Sequence, residues 1–505
     1  MKKILAAVMV CSAFLRGSAT EFLFPNADSS GDIASDAAWN NAMPDMADAD
    51  TTVKITPDST TRYTASTNMT LSALLVAGGS NWGKATFDLT PPPGVEPVKV
   101  TMAGDITVNS KRNVEFIGGV WDFGSVHRIT PGYQNYGDRD FVLSGGAVWT
   151  NVAGSCFTYN YNPANCSNSR LFAREGSKLN FTATDHFYIN EYGTCSNIVI
   201  AAESGSLISF AATVTLGRGS AQPTHQKLLC SGADSRIVVE GRFNVGLDGS
   251  KNNLIEASDG GVMRFKVGTP YFTYSDGDGG LPATGNVVRA VGEGSKIVFG
   301  PMYFGKSKTT SDGNGNITNW VGSCGNTVEA IAGGLVSNDL YYVRGTGNGF
   351  VVSNGVIATK GRGIICESGC TNAFVRFQGD SPRFIQYTPK TGDFVLNSGF
   401  RFIYDLPPDG YAEGVVPMTT YYWGRIAADT KLEINGIEEV KRRMRRQNVS
   451  RREFVLWDFR AGCSSITSAM VAGWQAQLPD DAVLSGTSRL KLTIRVQTGT
   501  LMLFH

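Results

Sequence analysis

A short unit of turn and strand is written repeatedly through the middle of this chain, and that repetition limits the fold more than any single residue does. The clearest pair is EGSKLNF at 175–181 and EGSKIVF at 293–299. Partial copies are VIAAESGSLISF at 199–210, LLCSGADSRIVV at 228–239, LIEASDGGVMRF at 254–265 and TVEAIAGGLVSN at 327–338. Each places two or three apolar residues, a small residue, a Gly-Ser-like turn and then an alternating apolar strand. With Ser177, Ser206, Ser235, Gly261, Ser295 and Gly334 aligned, successive steps are 29, 29, 26, 34 and 39 residues. A unit recurring at this length signals a repeat architecture.

No copy can bury its apolar face alone. Stacked copies can, because each strand pairs in parallel with the equivalent strand of the next copy and the apolar faces become one interior. Unequal steps then mean insertions at loops with the strands kept in register. A propeller would need four-strand blades of about 40–45 residues, and a sandwich would not repeat its turn at near-constant steps. The expectation is an all-β, right-handed parallel β-helix. The 59 glycines suit its many turns.

Other segments extend the coil. VKVTMAGDITVNSKRNVEFIGGVWDFG at 98–124 reads as strand, turn, strand, turn, strand, and 51–79 as an initial rung. Pro91, Pro92 and Pro93 break any strand and mark a loop. Composition shifts after DLPPDG at 405–410, so residues 20–410 are expected to form the β-helix with its N-terminal cap and 411–505 a small β-rich cap module. That module holds one expected helix within 435–453, with Ile437, Val440 and Met444 on one face, and it would cover a parallel edge that otherwise invites aggregation.

Residues 1–19 read as a secretory signal: Lys2 and Lys3, the apolar stretch Ile4 to Leu15, and Gly17-Ser18-Ala19 as the cleavage site. An apolar run of about 12 residues is too short to span a bilayer, and no transmembrane segment is expected after signal removal. Charged residues are 18% of the chain and the net charge is +1, which argues against a nucleic-acid partner needing a broad basic face. Without Cys11, eight cysteines remain: 156, 166, 195, 230, 324, 366, 370 and 463. Eight allow 105 pairings; Cys156 with Cys166 and Cys366 with Cys370 are the local disulfide candidates.

Candidate sites are sparse. PGYQNYGDRDF at 131–141 gathers Tyr133, Tyr136, Asp138, Arg139 and Asp140, and Tyr159 and Tyr161 follow. Aromatic faces beside amides and carboxylates suit sugar rings, so the tyrosines are the candidate glycan contacts. If the chain were an enzyme, Asp138, Arg139 and Asp140 would be its catalytic set. Asp276, Asp278 and Asp312 lie in loops with alternating oxygens, a weak calcium pattern that lacks the Gly and acid of a full loop. Turn chemistry explains both stretches, and no metal or cofactor is expected. The basic run from Lys441 to Arg452 is expected to be the solvated face of the helix.

The Gly-Ser rungs, the entry segment GDIASDAAWNNAMPDMADADTTVKI at 31–55 and the ending LPDDAVLSGTSRLKLTIRVQTGTLMLFH resemble exported right-handed β-helix proteins of the pectin-lyase-like superfamily. The resemblance is strongest to non-enzymatic bacterial surface proteins and autotransporter-passenger-like chains, here without a translocator barrel. It implies a product at the bacterial outer envelope or outside the cell. The hydrolases of that superfamily need Asn-Thr-Asp, Asp-Asp, Gly-His-Gly and Arg-Ile-Lys segments on successive rungs. Here Asp480-Asp481 lies outside the repeat and the other three are missing. The lyases need clustered acids for calcium and an Arg base, of which TATDHFYIN at 182–190 is a faint echo. The expected role is structural or adhesive and non-catalytic, with a polysaccharide or cell-surface glycan as partner through long loops. A polysaccharide lyase or glycoside hydrolase is the alternative.

Overall fold

The computed structural model describes residues 61–71, 73–77, 84–109, 113–125, 139–153, 167–182, 196–217, 224–246, 249–266, 283–304, 323–366, 370–387, 399–421, 424–460 and 466–497. It also describes short strands at 20–23, 31–32, 51–55, 129–130, 187–189, 271–272, 309–311, 317–320 and 394–396. The chain is a parallel β-helix. Its first sheet has 15 strands, running from Gly31–Asp32 to Lys431–Asn435. The early rungs are closed by a five-stranded sheet that ends at Ile106–Asn109 and Ile129–Thr130.

From the middle onward two further ladders lie side by side. One, the second sheet, contains Lys178–Phe181, Leu207–Phe210, Arg236–Val239, Val262–Phe265 and Lys296–Val298. The other contains Phe187–Ile189, Val214–Leu216, Phe243–Val245, Tyr271–Phe272 and Met302–Phe304. They merge where Leu335–Val343 and Val356–Cys366 run through both. The two longest steps between rungs are taken up outside these ladders, one of them around the antiparallel hairpin Thr309–Ser311 with Ile317–Trp320.

Alternation along each strand sends every second side chain inward. In the first sheet Ile200, Leu228, Ile255, Val288, Val328 and Phe350 stand in register on successive rungs, each at 0% exposure. In the second, Phe181 stacks on Phe210 with centroids 5.0 Å apart and Phe265 on Phe299 at 4.6 Å. Like residues meet like because the repeat returns them to the same place, and stacked rings add to the burial.

The turn singled out in the sequence is one corner of the coil. Ser177, Ser206, Ser235 and Ser295 are buried there. Ser206 Oγ accepts from Ser177 N–H at 3.1 Å, Ser235 Oγ from Gly205 N–H at 2.9 Å and Ser295 Oγ from Gly260 N–H at 3.0 Å. Glycine replaces serine at 261 and 334, where a Cβ would stand 2.2 Å from the carbonyl oxygens of Cys230 and Ala290.

A second corner, ahead of the first sheet, holds Gln226, Asn253, Asn286, Asn326 and Asn348, all essentially unexposed. Asn286 Oδ1 accepts from the backbone N–H and the Nδ2 of Asn253 at 3.0 and 2.7 Å. Asn326 Oδ1 serves Asn286 in the same way at 2.9 and 3.0 Å, and Asn348 Oδ1 serves Asn326 at 2.9 Å for both. Gln226 N–H donates to Asn253 Oδ1 at 3.0 Å. Each amide thus satisfies the buried corner of the preceding rung.

Parallel pairing crosses the compositional break at 410. Met418–Thr420 pairs with Arg383–Gln386, and Lys431–Asn435 with Arg401–Asp405. The coil ends on Arg451–Phe459, parallel to Met418–Thr420 on one side and antiparallel to Arg489–Arg495 on the other, which in turn pairs with Ala482–Ser485. Two helices flank this end, where the sequence suggested one. Helix α1, Ile437–Arg446, buries Ile437, Val440 and Met444 as expected. Helix α2, Ser468–Gln475, is capped by Thr467 Oγ1 accepting from Met470 N–H at 3.2 Å, and Trp474 Nε1 donates to Thr430 O at 2.8 Å. Its sequence SAMVAGWQ has no apolar stripe of helical period, which is why periodicity passed over it.

Removing one amide from the corner should cost more than removing an exposed one. Asn286→Ala strands the Asn253 N–H and is expected to destabilise the coil by about 1–3 kcal/mol. Urea titration followed by circular dichroism measures this, and exposed Gln477→Ala, whose amide donates to Gly473 O at 3.4 Å, serves as the reference with a smaller loss.

Candidate functional site

The outer face of the first sheet carries charges in pairs across neighbouring rungs. Arg170 grips both oxygens of Asp140 at 2.5 and 2.8 Å. Arg174 Nε donates to Glu203 at 2.8 Å, Arg289 bridges Glu256 at 2.6 Å, and Arg401 holds Glu433 at 2.6 and 2.8 Å. Asp405 accepts from Arg376 Nε at 2.6 Å, Gln378 Nε2 at 2.9 Å and Asn435 Nδ2 at 2.8 Å. Pairs about 25–35 residues apart in sequence meet because strand spacing is about 4.8 Å.

Of the candidate catalytic trio only Arg139 and Asp140 are described, and they make separate contacts. Arg139 is buried at 2% exposure and its Nη1 donates to Val108 O at 3.0 Å, while Asp140 is engaged outside by Arg170. Asp138 lies outside the described residues, as do Tyr133, Tyr136, Tyr159, Tyr161, Asp276, Asp278, Asp312, Cys156 and Cys166. Cys366 and Cys370, a local disulfide candidate, are buried and are not joined by a disulfide. A hydrogen bond from Cys366 lowers the Cys370 thiol against the upward push of burial. Among the described residues no three of His, Cys, Asp and Glu cluster at metal-binding distance, and no helix is long and apolar enough to cross a membrane.

The outer face of the second sheet is built differently. Register places Lys178, Leu207, Arg236, Val262 and Lys296 in one file, which continues through Leu335, Val356 and Arg383. The adjacent outward file carries Arg264 between Val238 and Val298, then Ser337 and Ala358. Neither file contains an acid between these limits. A groove of about 450 Å³ opens there, with buried Ser337 and Ala358 as floor and Arg264, Lys296, Lys360 and Tyr387 as walls. Tyr387 is 55% exposed.

This face was missed in the sequence, although its signal lies within the repeat. Lys178, Arg236 and Lys296 are the residues directly after the turn serines 177, 235 and 295. The turn and the apolar positions are what recur from copy to copy, whereas the residue between them alternates between a cation and an aliphatic, so no constant pattern marks it.

The basic run near α1 is largely satisfied from within. Arg442 pairs with Glu439, Arg443 with Asp409 at 2.6 Å, and Arg452 donates to Gln447 Oε1 at 2.7 Å. Lys441, expected in solvent, is instead buried at 4% exposure between Glu438 at 2.8 Å and Asp481 at 2.6 Å. Burial pushes its ammonium down, but the two carboxylates outweigh this and raise it above the ordinary lysine range.

No protein-family model, curated protein or solved structure matches this chain.

The ion pairs at the last rungs make an acid-side prediction. Burial pushes Asp405 up, yet the Arg376, Asn435 and Gln378 donors bring it below its ordinary value; Arg401 does the same for Glu433. Carboxylates lowered in the folded state stabilise above their unfolded values and lose that contribution as pH falls through the folded ones. Urea midpoints should therefore hold from pH 7 to 5 and drop below about 4. The double variant Asp405→Asn/Glu433→Gln should show a shallower drop when titrated in the same buffers.

Proposed function

We propose that this protein is an exported structural or adhesive rod that contacts glycans at a cell surface and catalyses no reaction. The reading rests on the resemblance of its rungs to non-enzymatic surface proteins of the pectin-lyase-like superfamily. The observation that supports it best is the first sheet's outer face. Among the described residues, Asp140, Glu203, Glu256, Asp405 and Glu433 are each closed onto an arginine of a neighbouring rung. General acid–base chemistry on a sugar needs two carboxyl groups flanking one bond, one of them protonated. Carboxylates locked to arginine are poorly suited to that task. A shaft of continuous ladders with short, paired rungs suits a stalk.

Incubating the secreted protein with acidic and neutral polysaccharides, with and without calcium, tests the reading. Retention of the protein on a glycan with no new reducing ends and no unsaturated products is the expected result. Release of products would overturn it in favour of a lyase or hydrolase.

A further inference from the structure

Overall neutrality conceals a segregation of charge between two faces of the coil. The first sheet pairs its cations across rungs, while Lys178, Arg236, Arg264, Lys296, Lys360 and Arg383 on the second sheet are exposed and make no ion pair among the described residues. Among the described residues the acids stand beside these two files rather than within them, with Asp339 exposed on the strand Leu335–Val343 two positions beyond Ser337. Glu240 is held by Lys266 at 2.5 Å, and Asp234, Asp259 and Glu293 occupy the turns before the strands. A file of cations with no acid within it raises a positive local potential that favours an anionic ligand.

The spacing narrows what that is. Lys178, Arg236 and Lys296 stand on every second rung, so the cations recur about every 9.5 Å along the axis and the file from Lys178 to Arg383 is about 33 Å long. Between them Leu207, Val262, Leu335 and Val356 present half-buried aliphatic surface, and Tyr387 offers an aromatic face at the groove. Alternating charge and apolar surface in a straight file matches a linear polymer with an anionic group at intervals and carbon-bound hydrogens between. Duplex nucleic acid carries a charge about every 1.7 Å of its axis and rewards a denser basic surface. A lipid surface rewards a broad apolar face that can be inserted, whereas these aliphatics are recessed between longer side chains.

We propose that the outer face of the second sheet binds a linear acidic polysaccharide, laid along the coil axis with its carboxylate or sulfate groups on the Lys178-to-Arg383 file and a sugar ring in the groove beside Tyr387. This builds on the glycan-binding reading and assigns it a ligand class and a face. It requires no cofactor and no covalent step.

Binding of the full secreted chain to heparin, polygalacturonate and neutral dextran, at low and high salt, tests the proposal. Duplex DNA and phosphatidylglycerol vesicles serve as competitors. The wild-type protein should bind at least one acidic polysaccharide, lose it at high salt, and hold it against both competitors. Arg264→Glu/Lys296→Glu should weaken binding at least tenfold, and Tyr387→Ala should weaken it less. Lys431→Glu, on the first sheet, should leave it within twofold. Far-UV circular dichroism checks that each variant folds, and Arg264→Gln/Lys296→Gln replaces the reversal should it not. Binding unaltered by these substitutions, absence of acidic-polysaccharide binding, or preference for DNA or vesicles would overturn the proposal. Dextran retention without acidic-polymer binding would do so while leaving the broader glycan reading intact.

Discussion

The amide corner at Asn253, Asn286, Asn326 and Asn348 is the contact on which the middle of the coil depends. A polypeptide that bends three times per turn around a dry interior must bury backbone N–H groups at its bends, where no sheet partner can reach them. Each such group left unmet costs about 1–3 kcal/mol. Asparagine answers because its carbonyl takes a backbone N–H and a side-chain N–H from the rung before, while its own amide donates onward to the rung after. The serine corner does half as much with a single hydroxyl. Together the corners fix which residue of one rung faces which residue of the next.

Register then determines everything presented outside. A strand slipped by one residue would turn its inward side chains to solvent, and a rung slipped along its neighbour would separate the arginine–carboxylate pairs of the first sheet. The same constraint holds Lys178, Arg236 and Lys296 in line on the second. The interior column and the exterior files are therefore consequences of one geometry, and the faces differ because each repeat position has its own residue preference. Small register shifts do occur within the ladders, at Trp149/Val152 and Asn338/Leu340, but the Lys178-to-Arg383 file stays paired rung to rung.

The sequence disclosed the coil because its turn is written with serine or glycine beside an alternating strand, a pattern that survives without knowing any contact. It hid the amide corner because one buried polar residue per rung has no apolar period. Even so, NNL, GNV, GNT and GNG stand at 252–254, 285–287, 325–327 and 347–349, each an amide just before a strand. Arg139 and Asp140 stand together in the candidate set because they are close in sequence, yet strand alternation sends neighbours to opposite faces. The exterior ion pairs were illegible for the converse reason, since their members lie a full coil apart. Lys441 deceived in a third way: its carboxylate partner Asp481 comes from the terminal hairpin, which no local pattern connects to α1.

Hydrogen exchange followed by mass spectrometry, over peptides covering residues 250–258, 283–291, 323–331 and 345–353, addresses the amide corner most directly. If stacked amides close the bends of a parallel coil, the N–H groups of Asn253, Asn286 and Asn326 should exchange as slowly as those of the strands that follow them. Corners that exchange as fast as exposed turns, while the strands stay protected, would contradict that structure.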